Sequence, residues 1–247
     1  MKFRRPFILF AVVLFAVFVM CYNTIELFEN VENIDYYVIT MRPEDRLQNI
    51  DLQYSKMREN TANIKLEYVD AVVGKNLDTD KMKKTGKLVP RHKSAFSSSI
   101  NNELGCYLSH IKAYEMILAK GVSGFSVIFE DDFNLDDGFV EKLEESVEIL
   151  KSVDFDYCFL GMFNGGGGEK LDGNIYRIPN KNENMWGTEA YLVKNESIPK
   201  IMNALTPITD LIDVSIFNKG KSGDLNVYVL QPTIVSQGGF GTSIRTE

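Results

Sequence analysis

Phe125-Ser126-Val127-Ile128-Phe129-Glu130-Asp131-Asp132 is an apolar run that ends in three adjacent carboxylates. Its β-branched and aromatic residues have the composition of a buried strand. Three neighbouring acids repel one another, and placing them together needs a reason. In open α/β sheets the C-terminal ends of the strands are where ligands bind. A hard divalent cation with oxygen ligands relieves the repulsion and can bridge to substrate phosphates. Alternation along an extended stretch sends Glu130 and Asp132 to one side and Asp131 to the other, so Glu130 and Asp132 are the expected metal pair. The competing reading is a solvated group of turn acids that caps the following helix.

On either side of this strand, apolar strand patterns alternate with helical ones. Ile34 to Met41 reads as a buried strand. Arg42-Pro43-Glu44-Asp45 then forms a loop and helix start, with proline early and acids in the first turn, and the helix runs to about Asn60. Leu66 to Val73 is a second strand closed by Gly74, and Asn76 to Ser99 is polar and lysine-rich, the pattern of a loop. Apolar residues recur at helical spacing from Asn102 to Lys120, and Gly121 stops that helix. Beyond the acids come a helix over about Gly138 to Ser152, a strand over Asp156 to Leu160, and a four-glycine loop, Gly165 to Gly168, without the ending of a phosphate loop. Strands near Ile175 to Ile178 and Glu189 to Val193, helices near Ile198 to Leu205 and Asp210 to Phe217, and a strand over Asn226 to Leu230 complete the order. Such alternation predicts an α/β sandwich around a mostly parallel sheet.

Pro6 to Ile25 carries no charge over 20 residues. At ~1.5 Å per residue that run spans ~30 Å, the thickness of a bilayer's hydrocarbon core. Lys2, Arg4 and Arg5 precede it and Glu26, Glu29 and Glu32 follow it. The positive-inside bias therefore predicts a single-pass anchor with a cytoplasmic N-terminus and the bulk of the chain on the far side, in a Golgi or ER lumen or its equivalent. A cleaved signal peptide is the rival reading, but Val19-Met20-Cys21-Tyr22 lacks the small residues of a cleavage site. The expected organisation is a tail and anchor over 1–25, a stem over 26–33 and a globular domain over 34–247.

The net charge is −7, and the domain beyond the basic tail is more acidic still, which argues against general nucleic-acid binding. With three cysteines, two histidines and no CxxC, neither a disulfide framework nor a Cys/His zinc site is expected. Asn195-Glu196-Ser197 is a candidate glycosylation sequon.

Other segments offer chemistry. In Asn101-Asn102-Glu103-Leu104-Gly105-Cys106-Tyr107-Leu108-Ser109-His110, Cys106 and His110 share a helical face, as do Gly105 and Ser109. The bland reading of Cys106 as core and His110 as a satisfied hydrogen-bonder outweighs a nucleophile pair. Trp186-Gly187 is a candidate stacking wall for a sugar or base, with core packing equally open. Asp210 and Asp213 stand at i, i+3 and fit one helical face, where one serves as a base or both simply favour the helix dipole. The lysines between Lys81 and Lys93 are a solvated loop, a diphosphate clamp or a contact for anionic lipid.

Together these segments resemble glycosyltransferase family 25, the group of bacterial lipopolysaccharide and collagen galactosyltransferases. The matching pieces are Tyr37-Val38-Ile39-Thr40-Met41 with Asp45-Arg46, Ala71-Val72-Val73-Gly74, Glu103 to His110, Ile128 to Asp132, Gly187-Thr188 with Ala190-Tyr191-Leu192-Val193, and Pro207-Ile208 leading to Asp210. The resemblance implies a GT-A-type, Rossmann-like nucleotide-sugar-binding fold, a UDP-sugar donor carrying galactose or glucose, Mn²⁺ or Mg²⁺, and inversion at the anomeric carbon. Glu130 and Asp132 would then be the metal acids with Asp131 beside them, while Arg46, Gly105, Ser109 and His110 would lie near the nucleotide. The acceptor would be a hydroxyl of a glycan, lipopolysaccharide or glycoprotein. Thr209 departs from the family pattern, so either Asp210 or Asp213 would be the base. A non-catalytic binding module on the same fold would be expected to lose the three acids, which are intact here. A phosphohydrolase would need a nucleophilic acid near the first strand, and none can be placed.

Overall fold

In the computed structural model, the described residues are 34–59, 61, 64–89, 100–163, 168–178 and 186–240. The expected anchor and stem, Gly165 to Gly167 of the glycine loop, Arg91, Lys93 and the side chain of Trp186 lie outside them. Among the described residues no helix is long and apolar enough to cross a membrane.

An eight-stranded sheet organises residues 34–230. Its strands are β1 (Ile34–Thr40), β2 (Leu66–Asp70), β3 (Phe125–Glu130), β5 (Tyr157–Phe163), β6 (Lys170–Asp172), β7 (Ile175–Arg177), β8 (Trp186–Lys194) and β9 (Val227–Leu230), in the order β2-β1-β3-β8-β5-β9-β7-β6. A two-stranded ribbon pairs β4 (Phe133–Leu135) with β10 (Val235–Gln237). The helices are α1 (Glu44–Arg58), α2 (Thr79–Lys84), α3 (Ile100–Lys120), α4 (Phe139–Lys151), α5 (Ile198–Ala204) and α6 (Ile212–Ser222).

Period-two alternation along the strands builds the two cores. On one face Tyr37, Ile39, Ile128, Tyr157 and Tyr191 pack with Leu104, Tyr107 and Tyr114 of α3, Ile201 of α5 and Ile216 of α6. On the other, Val38, Val127, Phe129, Cys158 and Leu192 meet Ile50 and Met57 of α1 and Leu143, Val147 and Leu150 of α4. The result is the expected mixed α/β sandwich.

Most strands share one direction, but the sheet is less parallel than the alternating pattern implies. β1 pairs in parallel with both β2 and β3, and β5 pairs in parallel with β9. β8 runs backwards between β3 and β5, so both of its pairings are antiparallel, as are those of β7 with β9 and β6. The reversal brings the start of β8 beside the end of β3, with Phe129 opposite Ala190.

Several local expectations are corrected. The supposed loop after Asn76 contains α2, started by Asp78, whose carboxylate accepts from the Lys81 amide at 2.9 Å. Its lysines 81, 83 and 84 are exposed. The alternation of Glu130, Asp131 and Asp132 fails because β3 ends at Glu130 and a turn follows. Asp210 lies ahead of α6, so it shares no helical face with Asp213. Asn195 of the sequon is 4% exposed in the fold: its side chain accepts from Ser126 Oγ at 2.8 Å and donates to Val122 O at 3.3 Å.

Candidate functional site

The parallel strands β1, β2 and β3 end together, with Thr40 opposite Asp70 and Ile39 opposite Glu130. Above these ends opens a cleft of about 110 Å³, lined among others by Thr40, Val72, Cys106, His110, Glu130 and Asp131. Its far wall is α3, whose close approach depends on Gly105. A Cβ there would stand 2.7 Å from Val72 O and 3.0 Å from the Gly74 backbone. Ser109 secures the same junction, accepting from the Val72 amide at 2.8 Å and donating to Gly105 O at 2.7 Å. Ser109 also lines the cleft.

The three acids divide at the turn. Glu130 stays on the α3 side, where Thr188 Oγ1 donates to its Oε1 and His110 Nε2 stands 3.4 Å from the same oxygen. Burial pushes Glu130 up, but the facing imidazole, the Thr188 hydroxyl and Arg46 outweigh it and hold the carboxyl below its ordinary value. His110 is itself oriented by the Tyr191 hydroxyl, 2.7 Å from Nδ1.

Asp131 and Asp132 turn toward α1. Arg46, 5% exposed, reaches Asp131 Oδ1 at 3.5 Å and Asp132 Oδ2 at 3.2 Å, and its guanidinium lies 4.7 Å from the Phe240 ring centroid. Gln237 Nε2 donates to Asp132 Oδ2 at 3.0 Å, while Asp132 Oδ1 is buried without a hydrogen-bond partner among the described residues. Burial is the main force raising Asp131 above the usual carboxylate range; a Thr40 hydrogen bond and Arg46 oppose it, and the neighbouring acids add to it.

The turn is held from below by α1. Asn49 Nδ2 donates to Phe133 O at 2.9 Å. Gln53 donates to Asn134 Oδ1 at 2.9 Å and accepts from the Leu135 amide at 3.1 Å. Arg46, Asn49 and Gln53 share one helical face, a spacing that would have revealed this polar stripe in the sequence.

A second acidic group approaches from β8 and α6. Asp213, in the first turn of α6, accepts from the Gly187 amide at 2.9 Å and the Val214 amide at 2.7 Å. Burial, followed by repulsion from Glu130 and Asp210, outweighs those two bonds and raises its carboxyl. Asp210 Oδ1 accepts from the Leu211 amide at 2.8 Å. Glu189 is 4% exposed, and its Oε2 has no hydrogen-bond partner among the described residues. Burial, with Glu130, Asp132 and Asp213 nearby, pushes it up to about 8. The signal for Glu189 was a lone charge inside an otherwise apolar strand pattern.

The geometry thus gathers Ser109, His110, Glu130 and Asp131 around one cleft, joins Arg46 to Asp131 and Asp132, and couples Asp213 electrostatically to Glu130. Gly105 stands behind the cleft wall rather than in it.

Residues 33–162 match the sequence model of glycosyltransferase family 25 (LPS biosynthesis protein). Over 103 residues the chain is 34% identical to a probable inactive glycosyltransferase 25 family member 3 of Rattus norvegicus, covering 40% of this chain and 18% of that protein. Over 172 residues it is 26% identical to procollagen galactosyltransferase 1-A of Xenopus laevis, covering 66% of this chain and 28% of that protein. The alignments thus span less than a third of the length of these curated relatives. Among solved structures, it is similar to a glycosyltransferase involved in the glycosylation of the major capsid of PBCV-1, with 8% identity and a TM-score of 0.40 over 85% of this chain and 94% of that one.

Proposed function

The chain belongs to glycosyltransferase family 25, and from that premise we propose that it is a metal-dependent, inverting hexosyltransferase. The donor is a UDP-sugar carrying galactose or glucose, and the acceptor is a hydroxyl of a glycan, lipopolysaccharide or protein. The observation that carries this reading is the acidic tip of β3: Glu130 and Asp131 face the cleft, and Asp132 keeps a buried carboxylate oxygen without a partner among the described residues. Carboxylate oxygens are the donors that Mn²⁺ and Mg²⁺ prefer, so Glu130 and Asp131, which line the cleft, would hold such an ion. Asp132, the expected partner of Glu130, would join them only through its unpartnered Oδ1. When bound, the ion supplies electrostatic stabilisation for negative charge developing on a departing diphosphate.

The chain's own residues do the rest. Arg46 fixes Asp131 and Asp132 against their mutual repulsion. Thr188 and His110 hold Glu130 toward the cleft. Asp213 is the better candidate to take the acceptor's proton, because its raised carboxyl moves toward the range where a general base works best, a contribution of roughly 10²–10⁴-fold. Asp210 is the alternative base; its Oδ1 accepts from the adjacent Leu211 amide, as Asp213 Oδ1 does from Val214. The apolar N-terminal run is taken to tether the domain to a membrane, with the site on the side away from the cytoplasm.

A second reading is a non-catalytic binding module on the same fold, favoured by a relative whose name includes the word inactive. Hydrolysis and thermal-shift measurements on the full chain separate the two. UDP with Mn²⁺ together should raise Tm more than either alone, and UDP-galactose or UDP-glucose should be hydrolysed only with the metal. Asp132→Asn should abolish that turnover while leaving a cooperative melt. Stabilisation without hydrolysis supports the binding module, and full turnover by Asp132→Asn overturns the assignment of the acids.

A further inference from the structure

One wall of the cleft brings together a thiol, an imidazole and a carboxylate. Ligand atoms of Cys106, His110 and Glu130 all lie within 4.8 Å of one another. His110 is 1% exposed, and its Nε2 makes no hydrogen bond among the described residues although it stands 3.4 Å from Glu130 Oε1. A buried ring nitrogen aimed at a carboxylate without hydrogen-bond geometry is costly unless something else completes it. That spacing has another meaning. Two ligands ~2.0–2.1 Å from one tetrahedral ion lie roughly 3.3–3.4 Å apart. Cys106, half-buried on the same face of α3, needs to close by only about 1 Å to reach the sulfur position of such a site.

The surroundings have the form of an outer ligand sphere. The Tyr191 hydroxyl holds His110 Nδ1 at 2.7 Å, which leaves Nε2 as the coordinating nitrogen. The Thr188 hydroxyl orients the Glu130 carboxylate. All three side chains line the cleft, so a fourth coordination position opens toward it.

We propose that Cys106, His110 and Glu130 form a binding site for a borderline-soft divalent cation of the Zn(II) class, open on its cleft side. Sulfur and imidazole donors select such an ion over Mg²⁺ or Mn²⁺, which distinguishes this set from the oxygen donors of Asp131 and Asp132. Binding ionises the Cys106 thiol, whose proton passes to solvent. Glu130 belongs to both donor sets, so a soft ion draws that carboxylate away from the strand-tip acids. The site does not depend on the transferase reading, and its test needs neither donor sugar nor turnover.

The test is titration of the full chain with Co(II), followed by absorption spectroscopy. One equivalent should produce a thiolate-to-Co(II) charge-transfer band in the near ultraviolet and visible bands of tetrahedral intensity. Zn(II) should abolish both. Cys106→Ser should lose the charge-transfer band, and Tyr191→Phe should keep it while binding Co(II) about 10–100-fold more weakly. A wild-type chain without the thiolate band overturns the site, as does a band that survives in Cys106→Ser.

Discussion

Glu189 is a buried carboxylate set among other acids. An ordinary glutamate titrates near 4.5, and burial raises this one to about 8. Between those values the folded chain keeps a proton that the unfolded chain has released, so stability falls as pH rises and levels off above the upper one. The loss is on the order of a few kcal/mol. Glu189→Gln should therefore show a flatter Tm profile than wild type between those two values and melt higher at the alkaline end; circular-dichroism melts in a pH series measure it. Arg46 presents the opposite case, a buried cation that two acids require. Arg46→Met should cost about 3–5 kcal/mol in urea unfolding, because it leaves Asp132 buried and uncompensated. The strand-tip acids were legible in the sequence, since three adjacent carboxylates break off the apolar run Val127-Ile128-Phe129 at once. Their division was not legible, because alternation holds only while the strand lasts and the chain turns directly after Glu130.

Among the elements, α3 bears most directly on the cleft, and its contact with the segment after β2 rests on Gly105. Gly105→Ala would place a methyl group 2.7 Å from Val72 O, a backbone atom that must move. The expected cost is ~1–3 kcal/mol in denaturant unfolding, together with a smaller thermal shift by UDP and Mn²⁺, since Val72 lines the cleft. Unchanged stability would mean that this junction yields freely. The long elements were readable because their periodicity persists: α3 over five turns, α1 and α4 over three or more. β4, β6 and β10 have three residues each, too few for alternation to show. The direction of β8 was hidden for another reason, since an apolar strand pattern reads the same whichever way the strand runs.

For the molecule as a whole, the sheet grades from a sealed centre to an open margin. Phe125 to Phe129 of β3 are all buried, as are Thr188 to Val193 of β8, whereas β6 is exposed throughout. Amide hydrogen exchange should follow that gradient, with β3 and β8 opening only on global unfolding and β6 exchanging by local fraying. Equal protection of β6 and β3 would contradict it. The reversed β8 also sets a timing problem during synthesis. Strand β3 emerges from the ribosome with its outer edge unpaired, and the strand that covers it follows only after about 55 more residues. At roughly 5–20 residues per second, a largely apolar strand waits several seconds for its neighbour. Nascent chains stalled within that interval should recruit holdase chaperones, and chains extended past Lys194 should release them.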